Sequence, residues 1–325
     1  MLTIEEIGIN LDVSGPATTL RALEQQLGAL RGLGYRLVEI GVSPYAVIVD
    51  GEIRPKRLAD LRGVLSSSGL RFSLHGIGRL NLAFDRRHDL CRAIMRSQIA
   101  MAAAIGAARL VYHSGLQALD DVARGARDNL RTDAELAEGA RREVAAFREL
   151  APMAADAGVV IGMENLDPHA WEHALIRRFG LPRGDILKHL PRLQVGPIVR
   201  QLEAIDHPNL GLTLDFAHLH LAARDLGFDY LEEIRQAAPW VRHLHVNDNF
   251  GTLDEGTSGG WDRWAFGEAD LHMPPGWGTV PYAEALRCLP DYRGDVILEV
   301  EPGFEDSYGE ARESMRSLIE GLRQD

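Results

Sequence analysis

The sequence predicts an α/β fold, a single (β/α)₈ TIM barrel occupying residues 1–325 with extended βα loops after its fifth and seventh strands. Two observations carry this reading. Eight short β-rich runs alternate with segments of helical period, and six of those runs end in an imidazole or a carboxylate. The runs fall at residues 7–13, 35–42, 70–75, 108–113, 158–164, 210–215, 241–246 and 295–300. Several are nearly unbroken apolar stretches, such as Val159-Val160-Ile161-Gly162-Met163, the pattern of parallel strands covered on both faces. Between the first two runs, Leu20, Leu23, Leu27 and Leu30 mark one face of a helix that the Gly32/Gly34 pair ends. A later helix opens at Thr132, with Glu135 in capping-box spacing. Its expected apolar stripe is Leu136, Ala140, Val144, Phe147 and Ala151, closed by Gly158. A doubly wound open sheet is the competing architecture, but no Gly-rich phosphate loop follows the first strand.

Two connections exceed what a barrel needs. Residues 165–209 hold a helical insertion with His169, Trp171, His173 and the Arg177-Arg178 pair. Residues 247–281 contain Gly251, Gly256, Gly259, Gly260, Trp261, Trp264 and Trp277. Long loops of this composition usually act as lids or binding loops. The three tryptophans are expected either to close over a substrate or to pack against a second copy of the chain, which leaves a homo-oligomer open.

The bulk composition, 46 % apolar and 25 % charged, suits a soluble protein with a sizeable core. A formal charge of −12 opposes non-specific attraction to nucleic acid or anionic membranes, so a small-molecule substrate is the expected partner. No run approaches the roughly 20 apolar residues that span a bilayer. Residues 1–10 lack the basic-then-apolar pattern of a signal peptide, and a cytoplasmic location is expected. Cys91 and Cys288 read as reduced structural thiols.

The chemistry lies where the strands end. His75, His113, Glu164, Asp215, His245 and Glu299 close the third to eighth strands, and a barrel brings all such ends to one rim. Close behind them come His218, three residues after Asp215, and the Asp270-Leu271-His272 triplet. A carboxylate ending an apolar strand is costly unless it is paired, coordinated or wet. Mixed His/carboxylate sets suit Zn²⁺, Mn²⁺, Fe²⁺ or Co²⁺ rather than Ca²⁺. His243 and His245 share one side of their strand, and His245 is preferred as the nearer to its C-terminal end. Strand position separates Glu299 from Glu301 poorly.

Glu164 in Met-Glu-Asn-Leu, Asp215 in Leu-Asp-Phe-Ala-His, His245 in His-Leu-His-Val-Asn-Asp and Glu299 in Leu-Glu-Val-Glu together resemble the xylose-isomerase-like barrel superfamily. That superfamily holds sugar and sugar-phosphate isomerases and epimerases and the endonuclease IV branch. Resemblance to the ketose 3-epimerase branch implies one divalent metal held by Glu164, Asp215, His245 and Glu299, and it favours Glu299 over Glu301. It also implies that Glu164 and Glu299 move protons through a metal-stabilised enediolate. Resemblance to the endonuclease IV branch implies three zinc ions on nine ligands: His75, His113, Glu164, Asp215, His218, His245, Asp270, His272 and Glu299. The tyrosine that wedges into DNA in that branch is Gly78 here, and residues 44–52 are apolar and acidic, so nucleic acid is disfavoured as a partner.

The resulting expectation is a divalent-metal-dependent isomerase or epimerase of a small sugar or sugar phosphate. One to three ions are expected, Zn²⁺ or Mn²⁺ ahead of Co²⁺, Fe²⁺ or Mg²⁺. The alternative is a multinuclear zinc phosphoester hydrolase acting on a small phosphodiester or nucleotide, and the third reading is a non-catalytic metal-binding barrel. Arg79, Lys188, Arg263 and Trp277 are the candidate substrate contacts.

Overall fold

The computed structural model describes residues 2–11, 19–115, 117–254 and 262–323. Its ten strands are β1 (Thr3–Leu11), β2 (Leu37–Gly41), β3 (Ile48–Val49), β4 (Glu52–Ile53), β5 (Arg71–His75), β6 (Arg109–Tyr112), β7 (Val160–Glu164), β8 (Leu210–Asp215), β9 (Val241–Val246) and β10 (Arg293–Leu298). Eight of them close a barrel in the order β1-β2-β5-β6-β7-β8-β9-β10, every pair parallel. The expected (β/α)₈ barrel is therefore the architecture of the protein. β3 and β4 form a small antiparallel hairpin after β2, where the sequence showed only an apolar and acidic loop.

The expected strand limits hold to within two residues at seven of the eight positions, the first differing most. β1 begins at Thr3 rather than Ile7, and residues 12 and 13 of the expected first strand lie outside the described residues. β10 ends at Leu298, so Glu299 sits just past the strand rather than inside it. Among the described residues no helix is long and apolar enough to cross a membrane.

Local signals set the helices. Thr19 caps helix Leu20–Gly32 by accepting a hydrogen bond from Ala22 N, and Leu23, Leu27 and Leu30 are buried as their spacing requires. Helix Asp133–Asp156 opens on the expected Thr132/Glu135 capping box. Its buried face, however, is Gly139, Glu143, Ala146, Phe147, Leu150, Ala151 and Ala154. Leu136, Ala140 and Val144, expected in the core, instead line an outer groove of about 600 Å³. The stripe is displaced because Glu143 points inward, where Tyr112, Gly115 and Gln201 all donate hydrogen bonds to it. A hydrophobicity pattern cannot anticipate a satisfied buried carboxylate. Cys91 is buried and Cys288 half-buried, and both are free thiols.

Packing between strands is closest where glycine permits it. A Cβ on Gly162 of β7, two residues before Glu164, would collide with the Thr213 side chain of β8. Gly162→Ala is therefore expected to destabilise the barrel by roughly 1–3 kcal/mol, as over-packing does. Gly184→Ala, where nothing lies within 4 Å, serves as the control and should stay within about 0.5 kcal/mol. Urea unfolding midpoints measure both.

Candidate metal centre

Because the strands run parallel, their C-terminal ends form one rim, and the register aligns Asp215 with His245 across β8 and β9. His245 is fully buried, its Nδ1 lying 2.6 Å from Glu164 Oε1 and 3.3 Å from Glu299 Oε1. Asp215 begins the helix that follows β8: Oδ1 accepts from His218 N at 2.7 Å and Oδ2 from Asn247 Nδ2 at 3.2 Å. One donor atom from each of Glu164, Asp215, His245 and Glu299 falls within 4.8 Å of the others.

This set fits a divalent cation. Three carboxylates and one imidazole are the donors a borderline metal prefers. Glu164 Oε2 is buried without a hydrogen-bond partner, an arrangement that is expensive unless a cation answers it. His113 Nε2 stands 3.1 Å from that same oxygen.

Two further clusters flank the first. His75 and His113 meet edge to face with their Nε2 atoms 3.1 Å apart, beside Glu164. On the other side, His218 Nε2 and His272 Nε2 lie 3.2 and 2.5 Å from the same Asp270 oxygen. His75, His218 and His272 each donate from Nδ1 to a backbone carbonyl, of Gly76, Asn165 and Glu299 at 3.2, 3.0 and 2.8 Å. A carbonyl only accepts, so Nδ1 carries the proton and Nε2 is left to face the carboxylates.

The electrostatics follow from the crowding. Burial pushes the Asp215 carboxyl up to about 7, against the pull of His218 and with Glu299 and Asp270 adding to the rise. Burial opposes charge on Glu164, but His245 and His113 outweigh it and hold its carboxyl well below the ordinary range. Burial likewise disfavours the His218 and His272 imidazoliums, and Asp215 and Asp270 overcome it at His218 as Asp270 does at His272.

All nine rim residues named from the sequence thus converge. Six of them, His75, His113, His218, Asp270, His272 and Glu299, line an open pocket of about 460 Å³, while Glu164, Asp215 and His245 are buried outside its lining. Around its mouth stand Asn10, Asp167, His169, Arg263 and Glu301. Of the four candidate substrate contacts only Arg263 reaches this pocket, and it is already paired with Asp254 at 2.6 Å. Arg79 is exposed and outside the pocket lining. Lys188 is not a contact here: its Nζ pairs with Asp133 at 2.5 Å and it lines the outer groove. Trp277 also stays outside, donating to Glu310 at 2.8 Å and packing on Phe304, itself stacked on Trp264. Trp261, Gly256, Gly259 and Gly260 lie outside the described residues.

Sequence reasoning missed several supports. Asn10 donates to Glu299 Oε1 at 2.8 Å, and Glu39, at the centre of β2, touches both His243 and His245. Asn10 was visible as a polar residue inside an apolar strand; Glu39 carried the same signal and went unread. Asp248 caps the loop: it accepts from the backbone N–H groups of Asn249, Gly276 and Val280. That loop places Asp270 between Ala269 and His272, both with left-handed backbone (φ 68° and 46°), a conformation few non-glycine residues adopt.

A closed parallel barrel whose C-terminal rim gathers histidines and carboxylates defines the class. The chain belongs to the Xylose isomerase-like TIM barrel family, whose model matches residues 27–320. No curated protein sequence matches the chain. Among solved structures it is similar to a D-tagatose 3-epimerase-like protein, at 17 % identity and TM-score 0.66 over 98 % of each chain. It is also similar to the D-psicose 3-epimerase of Clostridium cellulolyticum H10, at 14 % identity and TM-score 0.62 over 98 % of each chain. A third likeness is to the 3-keto-D-glucoside 4-epimerase of E. coli, at 15 % identity and TM-score 0.60 over 97 % of this chain and 98 % of that one. At these identities the likeness is one of fold.

At the pocket mouth, Asp167 raises the His169 imidazole to about 9, against burial and with help from Glu172. A group whose folded pKa exceeds its unfolded value of about 6.5 stabilises fully below the lower value and loses that contribution as pH rises through the upper. The difference in urea midpoint between the native chain and His169→Gln should therefore shrink from pH 6.5 to pH 9.

Proposed function

We propose that this protein is a divalent-metal-dependent isomerase or epimerase of a small sugar. One observation carries the reading: two buried carboxylates, Glu164 and Glu299, stand 2.6 and 3.3 Å from the same His245 nitrogen beneath an open pocket. Glu164, Asp215, His245 and Glu299 would hold the cation. Once bound, it supplies the Lewis acidity that makes a hydrogen beside a sugar carbonyl labile. Glu164 is held ionised by His245 and His113, the charge state a proton acceptor needs. Glu299, whose Oε1 is steadied by Asn10 Nδ2, returns a proton from its own side. Asp167, His169 and Glu301 offer hydrogen-bonding groups to hydroxyls at the pocket mouth. Among the described residues, Arg263 is the one Arg or Lys of the lining, and its pairing with Asp254 favours an uncharged sugar over a phosphorylated one. Of the three similar structures, two are sugar epimerases and the third is an epimerase-like protein, which supports the same choice.

A second reading is favoured by the flanking clusters. His75, His113 and Glu164, and His218, Asp270 and His272, would hold two more cations. A multinuclear centre of that kind activates water for phosphoester hydrolysis.

Incubating the manganese-loaded protein with D-tagatose, D-psicose or D-fructose in D₂O tests the choice by proton NMR. Solvent deuterium should enter next to the carbonyl. Glu164→Gln and Glu299→Gln should slow this exchange about 10²–10⁴-fold while folding normally, the range for loss of an acid/base group. Exchange unaffected by both variants refutes the assigned roles. If exchange is absent while bis(p-nitrophenyl) phosphate is hydrolysed, and His113→Ala and His272→Ala abolish that hydrolysis, the second reading replaces the first.

A further inference from the structure

We propose that Glu39 is a positioning residue that sets which nitrogen of His245 faces the carboxylate cluster; the inference rests on the metal reading above. Glu39 is fully buried in β2, and its neighbours come from three other strands. Oε2 accepts from Ser73 Oγ on β5 and lies at the same 2.9 Å from His243 Nε2 on β9. Oε1 accepts from Asn10 Nδ2 on β1 at 3.4 Å and lies 3.0 Å from His245 Nε2, close enough to pair although not aligned as a full hydrogen bond.

An ionised carboxylate offers no hydrogen, so a nitrogen held against it is the protonated one. Nδ1 meets Glu164 and Glu299 in the same way, and a cation taken up there would replace the Nδ1 proton while Glu39 keeps the one on Nε2. His75, His218 and His272 achieve the opposite arrangement, anchored at Nδ1 by backbone carbonyls. Among the described residues no backbone carbonyl hydrogen-bonds the His245 ring, and Glu39 takes that place from the other side of the ring. Asn10 strengthens the arrangement because its one amide nitrogen bridges Glu39 and Glu299. A carboxylate behind a ligating imidazole both orients it and raises its basicity.

Glutamine at this position keeps the shape but not the chemistry. Whichever way its amide sits, the NH₂ group faces either the Ser73/His243 donors or the Asn10/His245 pair. The test is calorimetric titration of the metal-free protein with Zn²⁺, comparing the native chain with Glu39→Gln and Glu39→Asp. Affinity should fall about 10–100-fold in Glu39→Gln, the range for loss of such a partner, and recover in part in Glu39→Asp. A second measurement does not depend on any Glu39 variant folding: ¹⁵N NMR of histidine-labelled, zinc-loaded native protein. It should show one ring with a proton on Nε2 and zinc on Nδ1, assigned to His245 by its loss in His245→Gln. Equal affinity in a folded Glu39→Gln, or zinc on Nε2 of His245, overturns the role of Glu39 and leaves the metal reading standing. A native chain that binds no zinc overturns both.

Discussion

Glu39, Glu164, Asp215, Asp270 and Glu299 are packed together in one barrel with little of their surface exposed. Removing a carboxylate from water costs several kcal/mol unless opposite charge or hydrogen bonds replace the solvent. The rest of the site can be understood as an answer to that cost. Imidazoles are interleaved with the carboxylates: His243 and His245 against Glu39, His245 and His113 against Glu164, His218 and His272 against Asp270. Amides from Asn10 and Asn247 and the N-terminus of a helix at Asp215 take up further lone pairs. His113 Nε2 approaches Glu164 Oε2 without completing a hydrogen bond to it, and the natural complement to that oxygen is a cation.

The fold makes this concentration of charge possible. Parallel closure puts six strand ends at one rim, so residues separated by more than two hundred positions, such as Asn10 and Glu299, come within hydrogen-bond distance. Rigid strands carry most of the cluster, whereas Asp270 and His272 arrive on a loop. That loop is held by Asp248 through three backbone N–H groups, and its strained residues at 269 and 272 depend on such anchoring. The third cluster is therefore the part of the site most dependent on loop order.

Much of this was legible in the sequence, and for a physical reason. Strands covered on both faces must be apolar throughout, so their polar ends stand out, and six of the nine rim residues were found that way; His218, Asp270 and His272 came from their spacing behind those ends and from the family resemblance. Glu39 and Asn10 escaped because they lie within such strands, where a polar residue is read as noise until its partners on other strands are known. The helix at Asp133–Asp156 shows the same limit: its capping box fixed the start, but the inward-facing Glu143 displaced the buried stripe. Lys188 was misplaced because Asp133, which holds it on the outer surface, is distant in sequence. Loop length and charge locate a binding region; tertiary partners decide which charges enter it.

The central claim is that Glu164, Asp215, His245 and Glu299 enclose a divalent cation. Anomalous diffraction from crystals grown with millimolar Mn²⁺ tests it most directly. A manganese peak within reach of all four side chains is the predicted result. An ordered rim with no anomalous peak there contradicts the account.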